Sequence, residues 1–541
     1  MRNLIHSLVV LVCAGSFVVA SQPLSPAPRF KGLGRHHHPI TTKWELAQRY
    51  FDHGLTLCFN FNHAEAIRSF EAAGQIDPDC AMAFWGVAFA YGPNINAPMD
   101  GSAVPKAWEA LQKAIALKPK ASEKERDYID ALAKRYTNEL LTNRSHLDKA
   151  FADAMGNAAK KYPADLDAQV LYAESLMDTS PWNYWGENMV PKPEAKQALE
   201  VIESVLKRVK AHSGADHLYI HLVEAGPNPE KGIPSADRIG RLTPKAGHLV
   251  HMASHIYVRV GRYHDAAVVN EHAAEADEGY LKIAKPVGTY PGGYYPHNVF
   301  FLWYANDLEG RSKHAIAAAQ KVGQYTTGLS CGAIEGPRQR YLPLLAYARF
   351  GRWEDILKQS APAEQYGFDR AMSYYARGLA LAATGEPGKA DKELQRFRDL
   401  QGSEPVKSMD NPYFPGTKIL AVGEQVLAGR IAGAQGQTNE MVSRMRKAVA
   451  ASKELSYMEP PYWYYSAKLS LGAALLKAGQ AGEAEKVFRE DLKDFPNCGW
   501  QLFGLRESLR AQGKANEAQE VSRQFKKAWS RADVDLSLDW F

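Results

Sequence analysis

Five cysteines in 541 residues, none of them in a Cys-x-x-Cys pair, exclude both a thiolate metal knuckle and a disulfide-dense scaffold. No dense block of Lys or Arg occurs. The 65 basic residues stand against 60 acidic ones, and a surplus of +5 gives little counterion-release affinity, so nucleic acid is not an expected partner. Alternating apolar and polar runs long enough for strands are missing too. So are a Gly-x-Ser-x-Gly elbow, a Gly-rich phosphate loop ending in Lys-Ser/Thr, a dinucleotide fingerprint and a His-Glu-x-x-His zinc motif. Beyond the first twenty residues no apolar stretch approaches the ~20 residues that span a bilayer, and the mature chain is expected to be off the membrane.

What is present is apolar and helical. With 45% hydrophobic residues the chain is too apolar for disorder, and at 541 residues it is too long for one ordinary core, which leaves several domains or a repeat solenoid. The N-terminus has Arg2, an apolar core through Leu8 to Val12 and Phe17 to Val19, and Val18-Val19-Ala20 before Ser21. That predicts a secretory signal peptide over residues 1–20 and a secreted or periplasmic protein. Cys13 lies within it. Cys58 and Cys80 could bridge one helical hairpin in an oxidising space or remain buried thiols; Cys331 and Cys498 lack partners at useful spacing. Residues 21–42, rich in Pro and Gly and carrying His36 to His38, read as a linker with a solvated histidine tract.

From Thr42 onward apolar residues recur at i, i+3, i+4 and i+7. Gly54, Leu57, Ala66, Phe70, Ala73 and Pro78 form a small, large, Ala, aromatic, Ala, Pro series. Phe84 to Pro119 repeat it, and Leu471, Gly472, Leu475, Ala484, Phe488 and Pro496 match again; weaker copies centre on Gly261, Gly310, Gly351, Gly385 and Gly436. The chain thus resembles tetratricopeptide-repeat proteins over residues 43–530. It is most similar to an exported subgroup of that class through FNHAEAIRSFEAA at 61–73, AGHLVHMASHIY at 246–257, YYPHN at 294–298 and PPYWYY at 460–465. The resemblance implies an all-α solenoid of nine to eleven helix pairs, divided into an array over 43–330 and a second over 331–541.

Six histidines fall in register with those repeats. With helix A of successive repeats starting near Ser213 and Gly247, His217, His221 and Glu224 take positions 5, 9 and 12, His248, His251 and His255 take positions 2, 5 and 9, and His297 takes position 2 of the next pair. At ~100° per residue these positions lie within roughly 80° of one another on the helix surface, away from the packing positions. The resemblance implies that they line the concave groove of the superhelix. His-x-x-x-His sets two imidazoles one turn apart on the same face, at 217/221 and at 251/255, near enough to share one ion.

Imidazole suits copper or zinc, and the shortage of carboxylates disfavours a di-iron site. Six rings could divide three and three around two coppers, or three with Glu224 around one zinc. Glu224 is then ligand or general base, and Asp216 and Asp237 are candidates for orienting the rings. The further His that the subgroup carries three residues after His297 is Phe300 here. His63 reads as turn chemistry, and His212 and His264 as ordinary surface or packing residues. The aromatic runs 181–185, 290–295 and 460–465 read as packing at helix junctions or as pocket walls, and Arg338 and Arg340 as solvated groups or anion contacts. The expected activity is a metal-dependent enzyme acting on a small molecule or peptide in the groove. A non-catalytic scaffold for a protein partner and a metal store are the alternatives.

Overall fold

A computed structural model describes residues 27–286, 289–324, 339–411 and 414–541. The signal peptide, Cys331, Arg338 and the 330/331 division lie outside those residues. Among the described residues there are twenty-six α-helices and no strand beyond three isolated bridges. The fold is an all-α solenoid in which consecutive helices pack as antiparallel neighbours.

The small–aromatic pattern is what holds adjacent hairpins together. Gly54 and Gly86, on successive first helices, lie so near the Phe70 ring that a Cβ added to either would stand 2.6 and 2.4 Å from it. Phe488 fits between Gly472 and Gly504 in the same way, at 2.3 Å from each added Cβ. One fully buried ring therefore serves two hairpins, which is why the pattern recurs down the chain.

Among the described residues the helices pair as twelve hairpins, against the nine to eleven expected. The additions lie in the 123–208 stretch, where Glu123–Leu132 pairs with Ser145–Lys161 and Leu166–Asp178 with Pro193–Arg208. These lack the glycine–phenylalanine signature. Three of the four helices begin instead on a Ser122/Glu125 capping box, an Asp165 cap or a leading proline.

The solenoid turns back on itself. Tyr263 donates its hydroxyl to the Pro496 carbonyl at 2.9 Å, and Trp500 Nε1 donates to the Asp307 carbonyl at 2.8 Å. Gly261 occupies the left-handed region at φ +75°, and a Cβ there would lie 2.2 Å from the Pro496 carbonyl oxygen. The described part of the segment expected as a linker over 21–42 carries no helix but, with residues 43 and 44, is strapped across the hairpins: Leu33 and His38 are buried, and the Lys245 amide donates to the Gly32 carbonyl at 3.0 Å. Cys58, Cys80 and Cys498 are free buried thiols, so the 58–80 bridge does not form.

Phe70→Ala is expected to destabilise the first hairpins by about 3–5 kcal/mol, the usual cost of emptying a buried phenylalanine site. Urea unfolding followed by far-UV circular dichroism measures it; an unmoved transition would contradict the shared-ring packing.

Candidate metal centre

The helices that carry the six histidines are Ser213–Glu224, Gly247–His251, Ala253–Arg259 and Tyr295–Glu309, the last preceded by a π-turn at Tyr290–Tyr294. The first two start at the residues that the repeat register indicated. A one-residue irregularity at Met252 separates the second and third. There the His255 amide donates to the Met252 carbonyl at 3.2 Å, one residue short of α-register, and Ser254 Oγ donates to the His251 carbonyl at 2.7 Å. The tightened turn sits between His251 and His255.

The rings do not line an open groove. His217, His221, His248, His251 and His255 are each at most 2% exposed, and His297 is half-buried. They form two groups of three, His217–His221–His248 and His251–His255–His297, each offering three ligand nitrogens within 4.8 Å of one another. The groups touch, with ring centroids 5.5 Å apart for His221 and His255 and 5.6 Å for His248 and His251.

The partners of the outer nitrogens fix the direction of the inner ones. His217 Nδ1 stands 2.6 Å from the Phe59 carbonyl, which only accepts, so Nδ1 carries the proton. His221 Nδ1 and His255 Nδ1 donate to the two oxygens of Glu224 at 2.7 and 2.6 Å. His251 Nδ1 donates to Asn270 Oδ1 at 2.7 Å, and that amide is oriented by its own bond from Nδ2 to the Ala266 carbonyl. In four rings, then, Nδ1 carries a proton outward, and the Nε2 of each neutral ring points a lone pair inward. His217 Nε2, His221 Nε2 and both nitrogens of His248 are buried without a hydrogen-bond partner, and His251 Nε2 stands 3.0 Å from His255 Nε2, a contact that holds a proton only if one of the two rings is an imidazolium. Each such orphan costs about 1–3 kcal/mol, and a cation between the lone pairs removes the cost.

Burial first, then the neighbouring imidazoles, holds His217, His248 and His251 well below the ordinary histidine pKa; the same causes bring His297 to about 3. These rings are neutral at physiological pH, the form that binds metal. Glu224 behaves oppositely. Burial opposes its charge, but His255 and His221 outweigh burial and hold the carboxyl well below its usual range.

Two phenylalanines wall the groups. Phe61, at φ 52° between two helices, lies 4.5 Å from the His217 ring and stacks on His221 and His248; Phe301 lies 4.7, 4.6 and 5.2 Å from His251, His255 and His297. From the aromatic runs, Trp182 meets His221 edge-on at 5.0 Å and Tyr294 meets His248 at 4.8 Å. Phe300, in place of a further histidine, stacks on Trp303. Asp216 and Asp237 do not orient the rings: Asp216 pairs with Arg238, and Asp237 takes Tyr257 and Arg262. Arg340 lies over the Tyr366 ring. The residues that do orient the rings, the Phe59 carbonyl and Asn270, gave no motif signal, although Asn270 lies one turn after the repeat alanine Ala266.

A second histidine cluster fastens the strap. His38 Nδ1 and His212 Nε2 contact Asp167 at 2.8 and 3.1 Å, His36 Nε2 stands 3.1 Å from the same carboxylate, and His37 Nδ1 reaches Asp52 at 2.9 Å. The solvated-tract expectation gives way for His36 and His38 but holds for His37, which is exposed, and the bland one for His212 gives way as well. Three nitrogen and oxygen donors also converge at His36, Asp167 and His212, yet the tautomer argues against an ion. His212 Nδ1 accepts the Ala215 amide as a helix cap, so its Nε2 carries the proton aimed at Asp167.

Burial opposes charge on His36, but Asp167 outweighs it and raises the ring's pKa; burial opposes charge on Asp167 too, and His36 draws that carboxyl well below the usual carboxylate range. The stabilisation from His36 is therefore complete below about 6.5 and is lost as pH rises through its raised value, while that from Asp167 is lost only as pH falls through its lowered one. His36→Gln is expected to lower stability by about 1–2 kcal/mol at pH 5.5 and by clearly less at pH 8.5. Thermal midpoints at the two pH values decide this, and equal losses would refute the charged latch.

No protein-family model matches the chain, and no curated protein does. Among solved structures, the human IFIT1 dimer with m7Gppp-AAAA is 12% identical, with 90% of this chain and 91% of that one covered at a TM-score of 0.32. The P58(IPK) TPR domain is 13% identical over 87% and 99% at 0.21, and yeast Tom70 is 14% identical over 90% and 92% at 0.27. Scores this low carry no argument. The fold rests on the helices described above and the centre on its own geometry.

Proposed function

We propose that the chain is an exported metalloprotein with a two-metal centre. His217, His221 and His248 hold one ion, His251, His255 and His297 the other, and the centre serves a metal-dependent enzyme acting on a small molecule or peptide. The observation that supports this reading is the set of inward Nε2 atoms, above all the 3.0 Å approach of His251 and His255, which two neutral rings with outward Nδ1 donors leave without a proton between them. Three imidazoles per ion leave a coordination position open, as catalytic sites require.

Charge favours copper over zinc. The ligands are neutral and Glu224 is the one carboxylate bonded to them, so two dications would bring +4 into a dry space against a single negative charge; reduced copper brings +2. Bound copper supplies one-electron and dioxygen chemistry. The chain's part is to fix the rings through Phe59, Glu224 and Asn270 and to exclude water with Phe61 and Phe301. Glu224, with both oxygens engaged, orients the rings rather than serving as a free base.

Elemental analysis of protein loaded with copper is expected to give two ions per chain, falling to one in His217→Ala/His221→Ala and to one in His251→Ala/His255→Ala. Binding that survives both pairs of substitutions, or no stoichiometric metal in the folded protein, would overturn the centre. Stripping the metal with a chelator should cost about 4 kcal/mol of stability where the free ion had stood a thousandfold above its Kd. A loaded centre without turnover would instead favour the storage role.

A further inference from the structure

Tyr457 joins the histidine centre to a cleft. Its hydroxyl donates to Glu224 Oε2 at 3.3 Å, and its ring lines a cavity of about 460 Å³ where residues 452–468 meet Val258, Arg259 and Tyr304. That volume suits a small organic molecule. Tyr304, Tyr457, Tyr462, Trp463 and Tyr465 supply aromatic walls.

Two charged groups in those walls form no direct ion pair, although they attract each other through space and the Tyr457 hydroxyl is hydrogen-bonded with the Glu459 carboxyl. Glu459 is 8% exposed and Arg259 half-buried, and among the described residues neither forms an ion pair with the other or with a third group. The Arg259 Nε donates to the Glu224 carbonyl at 3.1 Å, which anchors the guanidinium and leaves its terminal nitrogens to other acceptors. Burial pushes the Glu459 carboxyl up to about 7, with Arg259 working against it. The other charges of the cleft are exposed Lys453 and the pair Lys468–Asp494, whose members neutralise each other at 2.8 Å. A carboxylate and a guanidinium that line one dry cleft without touching interact only at a distance, and a ligand carrying both complementary charges contacts each directly.

We propose that this cleft binds a small aromatic zwitterion, a molecule of amino-acid or dipeptide size with one flat ring, one carboxylate and one ammonium group. The Arg259 fork takes the carboxylate, Glu459 takes the ammonium, and the ring lies among the tyrosines and Trp463. Calling this molecule the substrate rests on the two-metal reading; the binding itself does not. Seated there, the ligand is separated from the second histidine group by Tyr457 and Glu224.

Isothermal titration at pH 8 with L-phenylalanine, phenylacetate and phenethylamine tests the assignment on metal-free and copper-loaded protein alike. L-Phenylalanine is expected to bind on the order of tenfold more tightly than either fragment, from one added charge-assisted contact. Glu459→Gln should weaken L-phenylalanine and phenethylamine about tenfold and leave phenylacetate unchanged; Arg259→Gln should weaken L-phenylalanine and phenylacetate and leave phenethylamine unchanged. Tyr462→Ala, at a half-buried wall position, should weaken all three, and circular dichroism verifies that each variant is folded. No binding of any probe at millimolar concentration, or a loss in Glu459→Gln that falls equally on all three, overturns the proposal. Failure of the metal reading would appear separately, as absent copper with these affinities intact.

Discussion

Glu224 is wholly buried and accepts an imidazole N–H at each of its oxygens, from His221 at 2.7 Å and from His255 at 2.6 Å, with the Tyr457 hydroxyl as a third donor. One carboxylate thereby sets a ring in each histidine group. Were it an amide, one oxygen would become an N–H₂, the ring facing it would have to reverse its tautomer, and an Nε2–H would then point where a lone pair now points. A buried charge is expensive unless its acceptors are filled. Here three donors fill them, which makes the cost of burial the same thing as the order of the centre.

The repeat architecture explains how six rings from four helical segments come to share one space. Stacked hairpins put the same register positions side by side, so histidines at positions 2, 5 and 9 of neighbouring first helices become neighbours in three dimensions. An open superhelix would leave them wet. In this chain the 27–44 strap crosses the hairpins, where Phe30 meets Tyr280, and Tyr280 meets the Tyr290 that hydrogen-bonds the His248 amide. The 457–465 segment closes in from the other end of the chain. Water is thus excluded by parts of the sequence far from the histidines.

That division also marks what could be read from the residues alone. Helical periodicity and the Gly54/Phe70 pattern carried the fold, because both are local consequences of packing one helix on the next. The starts at Ser213 and Gly247 followed from the same register, and with them the facing of the six rings. Burial did not follow. A helix face turned away from its own hairpin's core is solvated only if nothing distant covers it, and neither the strap nor Tyr457 announces its destination. The ring-orienting groups were missed for a related reason: Asp216 and Asp237 are acidic and close in sequence, whereas the Phe59 carbonyl lies 158 residues from His217 and belongs to no side chain. Nothing in a list of residue types points to a backbone acceptor.

The two histidine clusters of this molecule show why proximity of ligand-type residues is a weak criterion by itself. Both bring nitrogen donors to within 4.8 Å of one another, and both are largely buried. In one, the outer nitrogens of four rings donate to a carbonyl, a carboxylate and an amide oxygen, which leaves lone pairs converging on a common space. In the other, His212 receives a backbone amide on Nδ1, so its remaining nitrogen must present a proton, and Asp167 is there to accept it. The first arrangement is one that a cation could complete; the second already has its hydrogens in place. What separates a candidate metal site from a latch is therefore decided one bond further out, by whether the far side of each imidazole meets an acceptor or a donor.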